Sequence, residues 1–295
     1  MLGLDQIYCG DCRDLLKDLD KNSIDCVVSD IPYGICLDEW DVLHKNKNSA
    51  LLGKSPAQQK AGRIFRSRGK PLNGWSAADK AIPQEYYHWC MSWAAELFRV
   101  TKPGATVFIF AGRRLAHRAI AAFEDCGFFL KDMLAWQKEK CAYRAQHLSK
   151  VYTRRGDLAN ASQWQGWKIG NLKPVFEPIL WLMKPYKIGT TIADNVLKNG
   201  LGAFNEAVIN IYDKKPENSF VFSTNKNDSG LHPAQKPLKL IEFLIELVTV
   251  KEHVVLDPFA GSGTTLKACQ KLKRKYIGFE NNNEYYLVAK ERLAQ

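Results

Sequence analysis

Short, mostly apolar runs recur along this chain, and between them apolar residues return at every third or fourth position. The runs Ile24–Val28, Ala105–Phe110, Phe128–Trp136, Phe176–Met183, Val254–Leu256 and Tyr276–Glu280 are rich in branched and aromatic residues. Such runs, bounded by turn signals, predict strands covered on both faces, as in a parallel sheet flanked by helices. Ile7–Cys9 adds a shorter strand, followed by a turn at Gly10-Asp11 and a brief helix through Leu15, Leu16 and Leu19. Helical spacing is clearest from Ile82 to about Val100, where Tyr86, Cys90, Trp93, Ala94 and Leu97 share one core face. Further helices are expected over Arg113–Cys126, after Pro237 with Leu240, Phe243, Leu244 and Leu247 inward, from Leu266, and up to Leu293. Pro178 interrupts the run at 176–183 and points to an edge or bulged strand there.

Three stretches carry neither pattern. Residues 38–81 are rich in Asn, Ser, Gly, Gln and Lys, residues 137–175 mix Lys and Arg with Tyr143, His147, Tyr152, Trp164 and Trp167, and residues 184–231 read as polar and irregular. The expected organisation is therefore a core of 1–136, 176–183 and 232–295. A loop insertion at about 38–81 and two candidate recognition insertions, 137–175 and 184–231, interrupt it. A loop as long as the first is usually functional or disordered. Phe65 and Trp75, interleaved with Arg63, Arg66 and Arg68, favour function.

Charge sharpens that division. The 295-residue chain carries Lys+Arg 42 against Asp+Glu 31, a net +11. Residues 45–80 hold nine Lys/Arg and one acid, and residues 137–175 hold eight and two, so these segments contain more than the whole basic excess. Two basic inserts on a slightly acidic core suggest a polyanion partner. Hydrophobic content of 46% and charged content of 25% are ordinary for a soluble protein. No apolar run reaches the length of a membrane span and the first residues lack a signal-peptide pattern, so no membrane partner and a cytoplasmic setting are expected. The Cys9-x-x-Cys12 pair has no second pair or His cluster beside it, so no metal is expected.

Chemistry concentrates at two strand ends. Val254 to Thr265 reads as strand, tight turn and helix, with Gly261 and Gly263 where backbone must turn and approach a ligand closely. The helix behind offers unpaired N–H groups at the carboxyl end of a parallel strand, the right shape for a nucleotide-like cofactor. Thr264 stands where a phosphate-binding loop needs Lys, and Asp257 at the strand tip suits an ammonium or hydroxyl better than a phosphate. Glu280 ends a strand about 20 residues later, where an acid can bond a ribose hydroxyl. The second end is Ser29-Asp30-Ile31-Pro32-Tyr33-Gly34, an irregular turn that would project Asp30 and Tyr33.

With Asp30–Tyr33 and Asp257–Thr265 together, the chain resembles the amino-group DNA methyltransferases. The catalytic motif precedes the cofactor motif, which looks like their β class. Gly10-Asp11, Phe176-Glu177-Pro178, His232–Pro237 and Glu280 also fall where that class would place them. The resemblance implies an α/β fold: a permuted Rossmann-like methyltransferase sheet, mostly parallel and seven-stranded, with helices on both faces and inserted basic loops. It implies S-adenosylmethionine as cofactor and transfer to adenine N6 of a flipped-out base in double-stranded DNA. Cytosine N4 is the alternative, as is a catalytically idle DNA-binding protein on the same fold, or an RNA or protein substrate. Asp in the first motif position leans toward adenine.

By the same resemblance Asp30 and the Ile31 carbonyl would hold the amino hydrogens, Pro32 would stiffen the turn and Tyr33 would stack on the base. Ile31 replaces the first proline of the commoner motif, which implies a less rigid loop. Asp11 and Cys12 would lie near the adenine moiety of the cofactor and Glu280 on its ribose. Asp257, Phe259, Gly261, Ser262, Gly263 and Thr264, with Asp30, would surround its amino-acid part, and Lys236 and Pro237 would close the site. DNA contacts are expected from Lys54, Arg63, Arg66, Arg68 and Lys70 in the first basic segment and from Arg144, Lys150, Arg154 and Arg155 in the second. A homodimer and a cognate restriction endonuclease are partners the resemblance allows, with the protein associated with the nucleoid.

Overall fold

The computed structural model describes residues 2–34, 77–139, 143, 145–223 and 235–295. Its strands in chain order are β1 (Gln6–Cys9), β2 (Ile24–Asp30), β3 (Thr101–Phe110), β4 (Phe129–Gln137), β5 (Gln146–His147), β6 (Lys168–Ile169), β7 (Phe176–Met183), β8 (Ser219–Val221), β9 (Val254–Asp257) and β10 (Lys275–Glu280). The helices are α1 (Cys12–Leu15), α2 (Ala77–Val100), α3 (Ala116–Asp125), α4 (Leu148–Arg154), α5 (Leu158–Gln163), α6 (Ile192–Asn199), α7 (Glu206–Ile211), α8 (Leu238–Val248), α9 (Thr264–Leu272) and α10 (Asn283–Ala294). A 3-10 turn at Leu16–Asp18 follows α1.

One sheet organises the molecule, in the order β1-β10-β9-β2-β3-β7-β4-β8, and a small antiparallel pair, β5-β6, stands apart from it. Neighbours in the large sheet are parallel except that β7 runs antiparallel to both β3 and β4. Seven strands are the expected set, and β8 adds an eighth at the edge, pairing Ser219 with Ala135 and Phe220 with Trp136.

That edge corrects the reading of residues 184–231 as irregular. They supply α6, α7 and β8, and Val208, Ile209, Phe220 and Phe222 are buried in the core with Phe243 of α8. Pro178 needs a second correction, because β7 is an interior strand. Its carbonyl accepts from Ala111 N at 3.3 Å, one residue past the end of β3. The N–H that proline lacks therefore falls where the β3 ladder has stopped, and no strand bond is lost.

The mostly apolar runs are explained by two cores. Cys26, Val28, Phe108, Phe110, Ile179 and Trp181 pack in one with α8 and α9, while Val27, Val107, Ile109, Leu180 and Leu182 pack in the other with α2 and α3. Successive strand residues point to opposite faces, so both faces must be apolar when both are covered. Helix α2 starts at Ala77, earlier than expected, and carries Pro83 inside it. Among the described residues no helix is long and apolar enough to cross a membrane.

Strands β2 and β9 lie side by side at the centre of the sheet. From β9 the chain moves outward through α9 to β10, and from β2 it moves the other way through α2 to β3. The carboxyl ends of β2 and β9 thus border the crevice where strand order reverses, the place where open α/β sheets bind ligands.

Candidate active site

A cavity of about 260 Å³ occupies that crevice, near the lower end of the ~300–1,000 Å³ common for small-molecule sites. Of the residues expected from sequence, Asp11, Cys12, Asp30, Pro32, Lys236, Asp257, Phe259, Gly261, Ser262, Thr264 and Glu280 line it. The others act from behind. Gly263 caps α9 with a left-handed backbone (φ 77°), and a Cβ there would lie 3.1 Å from that of Ala289. The Pro237 carbonyl caps α8, accepting from Leu240 N at 3.0 Å and Ile241 N at 3.2 Å. Ile31 is fully buried, and Tyr33 sits beside Asp30 with its hydroxyl turned to Lys236.

The glycine turn is held by charge as well as by backbone. Glu280 accepts from Gly261 N and Asn282 N, both at 2.8 Å, and burial raises its carboxyl above the usual range. Part of the carboxylate's lone-pair capacity, roughly four sites, remains for a ligand. Asp257 accepts from Ser29 Oγ at 2.7 Å and Phe259 N at 3.1 Å, and burial pushes its carboxyl up to about 6. Arg292 of α10, buried, donates to Ser262 O at 3.2 Å and Thr264 Oγ1 at 2.9 Å. At the far end Asp11 caps α1 and binds the Arg13 fork, with Nε–Oδ1 2.9 Å and Nη2–Oδ2 2.5 Å. That hydrogen-bonded pairing holds Asp11 below its ordinary value. Burial pushes the Cys12 thiol up to about 12, so it lines the wall as a neutral group.

Asp30 is the end of β2. Its Oδ2 is bonded to Lys236 Nζ, whereas its Oδ1 is buried without a hydrogen-bond partner among the described residues. Burial raises this carboxyl to about 6, against the lowering effect of Lys236. Below it Glu177 accepts from Tyr33 Oη and from Lys138 Nζ. Burial works to raise Glu177, but Lys236 and Lys138 outweigh it and hold the group below the usual range. The turn itself is braced by Tyr86, whose hydroxyl donates to Pro32 O at 2.9 Å.

Several residues of this site were not expected from sequence. Trp89, in the helix read as core, lines the cavity with its ring centroid 5.5 Å from Phe259. Arg13, Asn281, Asn282 and Tyr285 line it too. The sequence reading places Glu177 only in the motif at 176–178, with no role in the site, and a further signal is that it is the lone acid in an otherwise apolar strand. Lys138 and Arg292 had none, because chain elements far apart in sequence bring them in.

Of the expected DNA contacts, Lys54, Arg63, Arg66, Arg68, Lys70 and Arg144 lie outside the described residues, as do His232, Pro233 and Ala234 of the motif before Lys236. Lys150, Arg154 and Arg155 are exposed on and just after α4. With α5 and the β5-β6 pair this helix forms a small lobe, in which Leu148 N bonds Trp167 O at 2.9 Å and Trp164 packs edge-on to Trp167.

Comparison with known proteins gives the same reading from a different direction. Type II methyltransferase M.HindIII of Haemophilus influenzae is 54% identical over 295 residues, covering 98% of this chain and 95% of that protein. Type II methyltransferase M.HpaI of Haemophilus parainfluenzae is 28% identical over 293 residues, covering 98% and 74%. Among solved structures, PvuII DNA methyltransferase (cytosine-N4-specific) is similar with a TM-score of 0.62 at 18% identity, over 97% of this chain and 85% of that one. The M1.HpyAVI–SAM complex is similar with a TM-score of 0.55 at 20% identity over 98% of both chains. At these identities the structures speak to the fold alone. A family model described as DNA methylase matches residues 24–291, from the strand that ends in Asp30 through the glycine turn into α10, and the chain belongs to that N6/N4 DNA methylase family.

Proposed function

We propose that adenine N6 in double-stranded DNA is the methyl acceptor of this S-adenosylmethionine-dependent DNA methyltransferase. The observation that carries the reading is Asp30 Oδ1, a buried carboxylate oxygen at the cavity with no partner among the described residues. A buried acceptor left unmade costs about 1–3 kcal/mol, so it is kept for a donor that arrives with the substrate.

The cavity suits a cationic cofactor. Asp11, Asp30, Asp257 and Glu280 line it, and the cations among its described lining residues, Arg13 and Lys236, are already engaged by Asp11 and by Asp30. Glu280 has acceptor capacity left for ribose hydroxyls. Asp257, Phe259 and the turn at Gly261-Ser262 would hold the amino-acid part, and Asp11 the adenine end. Bound S-adenosylmethionine supplies an electrophilic methyl group on a positively charged sulfur.

The rest is positioning by this chain. An exocyclic amine is a poor nucleophile because its lone pair is delocalised into the ring. Asp30 Oδ1 and the Ile31 carbonyl would accept its two hydrogens and turn the lone pair toward the methyl group. The Pro32 carbonyl is occupied by Tyr86, which fixes the turn that presents Ile31. A duplex hides the amine, so the base must leave the stack, and the Tyr33 ring, tethered through its hydroxyl, offers a platform that lowers the cost. Orientation and electrostatics of this kind carry the rate.

Three features support the finer reading. Asp rather than Ser opens the catalytic turn, which favours adenine. The exposed Lys150, Arg154 and Arg155 favour a phosphate backbone beside the site, with residues 137–175 and part of 184–231 reading bases. The Type II name of the relatives favours a cognate restriction endonuclease as partner. The test is transfer from labelled S-adenosylmethionine to plasmid DNA, followed by nucleoside mass spectrometry. N6-methyladenine is the expected product. N4-methylcytosine would keep the mechanism and overturn the base, and unlabelled DNA would return the chain to a DNA-binding protein on this fold. Asp30→Ala is expected to abolish transfer while cofactor binding stays measurable.

A further inference from the structure

Under the catalytic turn lies a buried set of charges that the reaction as described does not use. Lys236, 6% exposed, bonds Asp30 Oδ2 and lies 3.1 Å from Glu177 Oε1 and 3.2 Å from Tyr33 Oη. Glu177, 8% exposed on β7, also binds Tyr33 Oη and, through Oε2, Lys138 just beyond β4. Two carboxylates therefore share one ammonium, with a second ammonium behind Glu177.

Such an arrangement is a poor device for stability, because well-packed apolar groups often serve as well as a buried ion pair. It is a good device for setting one carboxylate. Asp30 must stay ionised to accept an amino hydrogen, and burial is the largest influence against that. Lys236 offsets burial, while Glu177 draws on the same ammonium and adds like charge. The other elements around Asp30 add Tyr33 from its own turn, Asp257 of β9 through Ser29, and the apolar Phe110 of β3.

Resting on the methyl-transfer reading above, we propose that Lys236 and Glu177 are positioning residues that act on Asp30 in opposition. Lys236 occupies Oδ2 and keeps the carboxylate charged, so that Oδ1 alone is presented to the substrate. Glu177, backed by Lys138, anchors both the Lys236 ammonium and the Tyr33 hydroxyl from the far side. Lys236 thereby serves the reacting carboxylate rather than the closure of the cofactor site.

Opposition makes the signs testable in the pH dependence of kcat/KM for DNA, whose acid limb reports Asp30 in the free enzyme. Lys236→Met removes the offsetting charge, so the acid limb should move up by a unit or more, with about a tenfold loss per unit below both limbs and recovery at alkaline pH. Glu177→Gln keeps an amide oxygen for Tyr33 and Lys236 but removes the like charge, so its limb should move down. The cofactor dissociation constant, measured by calorimetry, should change less than about twofold in Glu177→Gln, because Glu177 does not line the cavity. Loosened packing does not shift two limbs in opposite directions. Limbs that stay put, or move together, overturn the proposal. If Lys236→Met fails to bind cofactor at all, Glu177→Gln decides alone, a downward shift supporting the proposal and an unmoved or upward one sinking it. Wild-type enzyme that methylates neither adenine nor cytosine would instead defeat the methyl-transfer reading, and this inference with it.

Discussion

Asp257 pays a folding penalty for its place at the cavity. It is 3% exposed, and burial lifts its carboxyl to about 6, above the ordinary value of 3.8. A carboxyl raised in the fold disfavours the ionised form there, so the fold is destabilised above pH 6, and the penalty fades as pH falls through the folded value. Asp257→Asn keeps the one oxygen, Oδ1, that accepts from both Ser29 Oγ and Phe259 N, and removes the charge. It is expected to stabilise the cofactor-free protein by about 1–3 kcal/mol near pH 7.5 and much less below about pH 4, while cofactor affinity falls. Thermal melts at the two pH values check this, and a gain that persists unchanged in acid would defeat the charge argument. Glu280→Ala should weaken cofactor binding by roughly 5–150-fold, the range for losing about 1–3 kcal/mol of hydrogen bonding; an unchanged dissociation constant by calorimetry would remove its ribose role. Asp30, Asp257, Gly261 and Glu280 were legible in the sequence because each sits in a local strand-to-turn pattern with its own chemistry. The true partner of Lys236 was not legible, since Asp30 lies more than 200 residues away in the chain.

Helix α2 shows how an element far from the chemistry fixes it. Tyr86 is fully buried on its core face and its hydroxyl reaches the Pro32 carbonyl, so the expected core residue also braces the catalytic turn. Tyr86→Phe keeps the ring and removes that bond. Stability should drop by about 1 kcal/mol, and kcat should fall with cofactor affinity unchanged, because only the turn is loosened. Chemical denaturation and steady-state kinetics check both, and an unaltered kcat would reduce Tyr86 to packing. The apolar strands were read correctly because their branched and aromatic content and the turn residues that bound them identify strands even where two covered faces leave no period. Residues 184–231 were missed because α7 has six residues and β8 three, too few for either period to declare itself. Pro178 misled for a subtler reason. Its effect on a ladder depends on where the neighbouring strand ends, which the local sequence does not record.

At the scale of the whole molecule, charge is sorted by task. The cavity gathers carboxylates, while the basic excess of the chain lies in residues 45–80 and 137–175. Neutralising phosphates releases counterions, so log K for DNA falls with log salt by about 0.9 per phosphate neutralised. Reversing Lys150, Arg154 and Arg155 on the small lobe should weaken DNA binding and flatten that slope by about 0.9 for each phosphate these side chains neutralise. Reversing Arg63, Arg66 and Arg68 in the first basic segment tests the other insertion by the same measure. Cofactor affinity should not change in the lobe variant, because Lys150, Arg154 and Arg155 do not line the cavity. Bonds to phosphate position a protein without reading sequence, so the set of methylated sites should be retained when enough enzyme is supplied. Titrations at several salt concentrations, with sequencing of the modified positions, separate three outcomes. A flattened slope with unchanged sites assigns the lobe to the backbone. A changed set of sites assigns it to base reading. An unaltered slope would leave Lys150, Arg154 and Arg155 as a solvated face and put the grip on DNA elsewhere in the chain.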